Sequence, residues 1–188
     1  TPSGLYLFYC NNDYEAERAG TRIFCDKMTD PYTVEGRPKC VVWPTIDEEI
    51  YMKDRFKKGQ HWHTIEGAFY FYQQGIHYLM YSGACYQNPT YFIGYCIAYG
   101  DEKADLRELA WKKYPDADLY APLLTKNEEM EGTGHNSLIF EDGKCYIVYH
   151  GRDYGDLDKK EDTRSARIDE LRIDGEKLSV VKIRSAPS

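Results

Sequence analysis

The chain has 188 residues, 42% of them hydrophobic and 15% aromatic, with 18 Tyr, 3 Trp and a formal net charge of −7. That length and apolar share suffice for one sizeable core and argue against disorder. The acidic balance without any basic cluster argues against a nucleic-acid partner and against an anionic membrane surface, and no apolar run approaches the roughly 20 residues that cross a bilayer.

Thr1-Pro-Ser-Gly4 reads as the tip of a hairpin whose first strand is absent, so the sequence is expected to begin inside a β unit. Gly4-Leu-Tyr-Leu-Phe-Tyr-Cys10 follows it, a turn glycine and then a run suited to a pleated, half-buried surface. The same phrase returns as Gly75-Ile-His-Tyr-Leu-Met-Tyr-Ser-Gly83 and as Gly143-Lys-Cys-Tyr-Ile-Val-Tyr-His-Gly151. Recurrence at a roughly constant period of this length marks a repeat architecture. A strand-like run precedes the second and third copies, Gly67-Ala-Phe-Tyr-Phe-Tyr72 and Ser137-Leu-Ile-Phe140, each joined by a short Gly-containing link. Downstream of the three copies come Thr21-Arg-Ile-Phe-Cys25, Tyr91-Phe-Ile-Gly-Tyr-Cys-Ile-Ala98 and Ser165-Ala-Arg-Ile-Asp-Glu-Leu171.

Meanders repeated in this way predict an all-β fold, a β-propeller with about three blades in this chain, at 1–44, 64–100 and 119–181. Between them lie a polar connector over 45–63 and, over 101–115, a short helix or ordered insertion suggested by the spacing of Leu106, Leu109 and Ala110. Propellers commonly have four to eight blades, so a closed ring needs material beyond these residues. The six cysteines lack C-x-x-C spacing and mostly sit in strand-like runs. They read as reduced, buried thiols of a reducing compartment, which places the protein in the cytoplasm before the exterior, although an even count keeps disulfides open.

Two segments break the strand pattern with residues able to do chemistry. Thr64-Ile-Glu66-Gly67-Ala68 starts an inner strand, where a propeller points side chains into a shared, partly dry cavity. A general acid must keep its proton near neutrality, and such a cavity favours that; the alternative is a solvated turn glutamate. Gly132-Thr-Gly134-His135-Asn136-Ser137 opens the next inner strand and is expected to put His135 level with Glu66. His135 there could ligate a metal, bond a sugar hydroxyl or serve structure. The aromatic richness suits β cores and also flat platforms for sugar rings. Tyr86 and Tyr91, on either side of Gln87-Asn-Pro-Thr90, could stack on a sugar or line the loop.

Thr64-Ile-Glu-Gly-Ala-Phe-Tyr-Phe-Tyr72, Gly75-Ile-His-Tyr-Leu-Met-Tyr-Ser82, Gly132-Thr-Gly-His-Asn-Ser137 and Tyr146-Ile-Val-Tyr-His-Gly-Arg152 stand in the order found in glycoside hydrolase family 43, which the chain resembles over nearly its whole length. Arg164-Ser-Ala-Arg-Ile-Asp169 with Asp174-Gly175 fits as well.

The resemblance implies the C-terminal part of a single five-bladed propeller domain. It implies inverting hydrolysis of β-xylosidic or α-L-arabinofuranosidic bonds of plant polysaccharides or their oligosaccharides, the β-xylosidic named first. It makes Glu66 the general acid, although Ala68 stands where the family usually has proline. The family's base and acid-tuning aspartates would fall upstream of Thr1, in blades of the same gene product or of a separate chain. Asp13, Asp26 and Asp47 lack the strand context to replace them. By the same resemblance His135 helps hold a calcium ion through water; Arg167, with Arg164 behind it, is expected to contact substrate hydroxyls. The competing readings are a noncatalytic carbohydrate-binding propeller and an incomplete fragment that pairs with another chain.

Overall fold

The computed structural model describes residues 1–159 and 161–182, so the last six residues of the sequence lie outside it. The chain is all-β. Its strands are β1 (Leu5–Asp13), β2 (Gly20–Asp30), β3 (Thr33–Val34), β4 (Lys39–Val42), β5 (Ile50–Met52), β6 (Trp62–Gln73), β7 (Ile76–Gly83), β8 (Phe92–Tyr99), β9 (Lys112–Lys113), β10 (Met130–Glu141), β11 (Lys144–Asp153), β12 (Ser165–Asp174) and β13 (Lys177–Val181).

These strands form three antiparallel groups: β1 on β2 with β3 and β4, then β6-β7-β8-β9, then β10-β11-β12-β13. The repeated phrase supplies β1, β7 and β11 in turn. The first two groups join into one nine-stranded sheet through a brief parallel contact, Gly20 opposite His63 and Thr21 opposite Thr64, and the third is a separate four-stranded sheet. The described sheets do not close into a ring.

Every residue of β7 is buried, because this strand is covered on both faces. Alternate side chains of a strand point to opposite faces. Tyr78 and Met80 accordingly join Ile93, Tyr95, Ile147, Tyr149 and Leu171 in the core toward the third group, while Leu79 and Tyr81 join Ile23, Val42, Ile65 and Cys96 in the core toward the first. That double burial explains why the phrase reads as a continuous apolar run rather than an alternating one.

The helix allowed by the spacing of Leu106, Leu109 and Ala110 does not form; 101–111 is an ordered insertion of turns. Its aspartates capture backbone N–H groups that a helix would have used. Asp101 Oδ1 accepts from Lys103 N–H at 2.8 Å and Asp105 Oδ1 from Arg107 N–H at 3.0 Å. Leu106 still reaches the core and is fully buried.

Candidate active site

The site is built from two irregular strand starts that face one another. In β6, Glu66 pairs with Ser82 but the next pair is Phe69 with Met80, so Gly67 and Ala68 together oppose Tyr81. Gly67 adopts φ +65, a conformation that favours glycine, and this bulge turns the strand at the residue after the carboxylate. In β10, Gly134 pairs with His150 and Ser137 with Val148, so His135 and Asn136 together oppose Tyr149, with His135 at φ +55.

The sequence pattern puts His135 level with Glu66, and the structure corrects this by one residue. The offset that carries Gly75 onto Gly143 carries Glu66 onto Gly134 and Gly67 onto His135. The two bulges then meet: a Cβ added to Gly67 would lie 3.2 Å from Nδ1 of His135 and 3.2 Å from Oγ of Ser82.

Glu66 is half-buried. The Tyr91 hydroxyl donates to its Oε1 at 2.8 Å and lies 3.3 Å from His135 Nδ1. The His135 backbone N–H donates to Ser82 Oγ at 2.8 Å, which fixes the second bulge against β7. Tyr91 is 0% exposed, so its ring offers no face to a sugar; one side packs where Gly134 has no side chain, since a Cβ there would lie 1.8 Å from Cε1. The His150 ring stacks on Tyr91 at 5.6 Å and on His135 at 6.4 Å.

The electrostatics follow from this burial. Desolvation first, then the Glu66 charge, pushes the Tyr91 phenol far above its usual range, so it remains a donor. Desolvation, then Arg164, His135 and Arg152, holds His150 down at about 4, and its buried Nδ1 has no hydrogen-bond partner among the described residues. Two thiols sense the same carboxylate. Burial and then Glu66 raise Cys10, while in Cys85 burial and Glu66 outweigh the Gln87 backbone hydrogen bond that acts the other way. All six cysteines are unbridged.

Beside this group lies an arginine-rich network. Buried Arg152 donates from Nη1 to the Tyr86 carbonyl at 2.7 Å and reaches Asp162 at 3.5 Å. Arg164 is held by Asp162 at 2.7 Å and lies 4.3 Å over the Tyr86 ring. One face of Tyr86 is therefore covered by a cation rather than open to a sugar. Arg167 is bound by Asp153 at 2.7 Å and passes close to Gly151, on the β11–β12 side, without touching Glu66. The structure thus brings Glu66, Tyr91 and His135 together, sets Tyr86 and Arg164 next to them, and leaves Arg167 further along.

Ser82, His150 and Arg152 escape notice as site residues in the sequence reading, although Ser82 and His150 occupy the same place in successive copies of the repeated phrase. Among the described residues, no three His, Cys, Asp or Glu side chains converge as a metal site. Calcium takes six to eight oxygen ligands, so His135, with Nδ1 beside the Tyr91 hydroxyl, could hold it only through water.

Three aspartates considered from the sequence are engaged elsewhere. Asp26 is buried and accepts from the Gly36 and Arg37 backbone, Asp13 pairs with Arg22, and Asp47 pairs with Arg18.

The repeated antiparallel groups thus set one half-buried carboxylate, with a phenol on one oxygen, beside a histidine from the neighbouring group. The chain belongs to glycosyl hydrolases family 43, whose sequence model matches residues 2–177. It is 31% identical, over 76% of its own length and 27% of the relative's, to an extracellular exo-alpha-(1->5)-L-arabinofuranosidase of Streptomyces avermitilis. To an alpha-L-arabinofuranosidase B of Pyricularia oryzae it is 28% identical, over 81% of this chain and 29% of that protein. A crystal structure of a thermostable family-43 glycoside hydrolase superposes with a TM-score of 0.74 at 29% identity, covering 97% of this chain and 55% of that one. A Lactobacillus brevis alpha-L-arabinofuranosidase structure, at 24% identity and TM-score 0.73, shares the fold over 98% of this chain and 53% of its own. The chain therefore spans about half of those solved structures and under a third of the curated relatives.

Proposed function

We propose that this chain is the C-terminal part of a five-bladed propeller glycosidase that cleaves α-L-arabinofuranosidic or β-xylosidic bonds with inversion, Glu66 being the general acid. The observation that carries it is Glu66 itself, half-buried beside a bulge and accepting at Oε1 from a phenol that stays protonated. The curated relatives are named for arabinofuranosides, so we place that bond first and the xylosidic bond second, reversing the order implied by resemblance.

In the reaction a carboxylate on the far side of the sugar removes a proton from water, and the water oxygen bonds to the anomeric carbon. The bond to the leaving oxygen breaks, and that oxygen takes the proton of Glu66, which is left as carboxylate. Inversion sets the two carboxyl groups about 6.5–9.5 Å apart, with the water between. The base is assigned to residues outside this chain, in blades of the same gene product or of a separate polypeptide. In this reading His135 bonds a sugar hydroxyl, Arg164 and Tyr86 wall the pocket, and Arg167 bonds a more distal hydroxyl.

The test is hydrolysis of an aryl α-L-arabinofuranoside and an aryl β-xyloside by the polypeptide that carries both this chain and the base. Release of pentose, faster from the arabinofuranoside, is expected. Saturable binding of an arabino-oligosaccharide with no hydrolysis of any glycoside would replace this reading with a noncatalytic sugar-binding propeller.

A further inference from the structure

We infer that Tyr91 is a positioning residue for the reaction: its phenol occupies Oε1 of Glu66 and thereby confines the acid's proton to Oε2. The inference rests on the reading of Glu66 as general acid. A neutral carboxylic acid has one O–H, and the oxygen that accepts a hydrogen bond acts as its carbonyl oxygen. With the Tyr91 hydroxyl donating to Oε1 at 2.8 Å, the proton that reaches the leaving group is carried by the other oxygen, and the carboxyl plane cannot rotate without losing that bond.

The tyrosine is built to hold still. It is fully buried just before β8, its ring is pressed into the space left by Gly134, and His150 stacks on it at 18°. A neutral phenol in this setting cannot give up its proton to Glu66, so it orients the acid without competing for the reaction's proton. Gly134 is the same device seen from the other strand: it occupies the place in β10 that Glu66 occupies in β6, and its missing side chain admits the ring that reaches across to Glu66.

Tyr91→Phe keeps the ring and removes only the hydroxyl. Two substrates separate positioning of an acid from general damage: an unactivated arabino-oligosaccharide, whose leaving oxygen must be protonated, and a dinitrophenyl α-L-arabinofuranoside, whose leaving group departs without help. Tyr91→Phe is expected to lower kcat on the first by roughly tenfold or more, a share of the 10²–10⁴ that a positioned acid contributes. KM should be unchanged, and the activated substrate should be turned over at close to the wild-type rate. Equal loss on both substrates, or wild-type turnover of the oligosaccharide, overturns the inference.

Glu66→Gln assayed in parallel keeps the two claims apart. If that variant loses oligosaccharide turnover while Tyr91→Phe does not, only the positioning role fails; if Glu66→Gln or the wild type shows no acid-dependent turnover, the underlying reading fails and this inference with it. Should Tyr91→Phe not fold, Gly134→Ala, which displaces the ring while keeping the hydroxyl, is expected to give the same substrate-selective loss, and equal loss on both substrates would again overturn the proposal.

Discussion

At His150 the imidazole stacks against both Tyr91 and His135, and its burial first, then the nearby charge of Arg164, favours its neutral form in the folded protein. Its folded pKa of about 4 lies below the roughly 6.5 of an unfolded histidine. Between those values the unfolded chain binds the proton that the folded chain refuses, so stability is expected to fall as pH drops from about 6.5 toward 4. Part of the ring meets solvent, which reduces the size of the effect. His150→Phe keeps the stack and removes the titration; its urea midpoint should change less between pH 7 and pH 4.5 than that of the wild type, and equal changes would count against this origin. In the sequence Glu66 stands out as a carboxylate followed directly by glycine in a strand-like run, and only the family resemblance implies its role as acid. The sequence does not reveal Tyr91 as the partner, since that contact joins residues far apart in the chain and depends on the empty space at Gly134. The one-residue displacement of His135 is hidden for a related reason: a bulge leaves composition unchanged and shifts every partner beyond it.

At the scale of elements, the sheets depend on a few close backbone approaches and one buried ion pair. A Cβ on Gly20 would lie 2.2 Å from the His63 carbonyl oxygen, where β2 runs beside β6, and that oxygen belongs to the backbone and cannot swing aside. Gly20→Ala should cost about 1–3 kcal/mol, as overpacking commonly does, read as a lowered urea midpoint. On the connector before β5, Glu49 is fully buried and receives Lys113 Nζ at 2.5 Å and the Thr45 N–H at 2.7 Å. Lys113→Met would leave that carboxylate buried without its cation, and a loss of about 3–5 kcal/mol is expected. A loss under about 1 kcal/mol in the same denaturation experiment would show that water reaches the pair. The strands were readable from their aromatic and β-branched runs, and β7 most of all, because both its faces are covered. Over 101–111 the spacing of apolar residues left a helix and an ordered insertion both open, and aspartates that close local turns decide for the insertion.

At the scale of the whole molecule, repetition of one phrase at 4–10, 75–83 and 143–151 conveys three antiparallel groups before any contact is known. What repetition cannot convey is closure: β1 pairs on one side only, with β2, and β13 only with β12 among the described strands. The chain covers 55% of the thermostable family-43 hydrolase and 53% of the Lactobacillus brevis structure, and the proposal places the general base outside this chain. The composition bears on this scale too. Tyr78, Tyr81, Tyr95 and Tyr149 serve the core, Tyr14, Tyr32, Tyr99 and Tyr154 are exposed, and the tyrosine that touches the proposed acid is itself buried.

The central claim is that Glu66 delivers the proton to the leaving oxygen, and a single comparison tests it most directly: turnover of an unactivated arabino-oligosaccharide and of its dinitrophenyl counterpart by wild type and Glu66→Gln, on the polypeptide that includes the base. The account expects the variant to lose about 10²–10⁴-fold in kcat on the oligosaccharide, to retain most of its activity on the dinitrophenyl glycoside, and to bind both as before. Undiminished oligosaccharide turnover, or a loss of binding that matches the loss of turnover on both substrates, would contradict it.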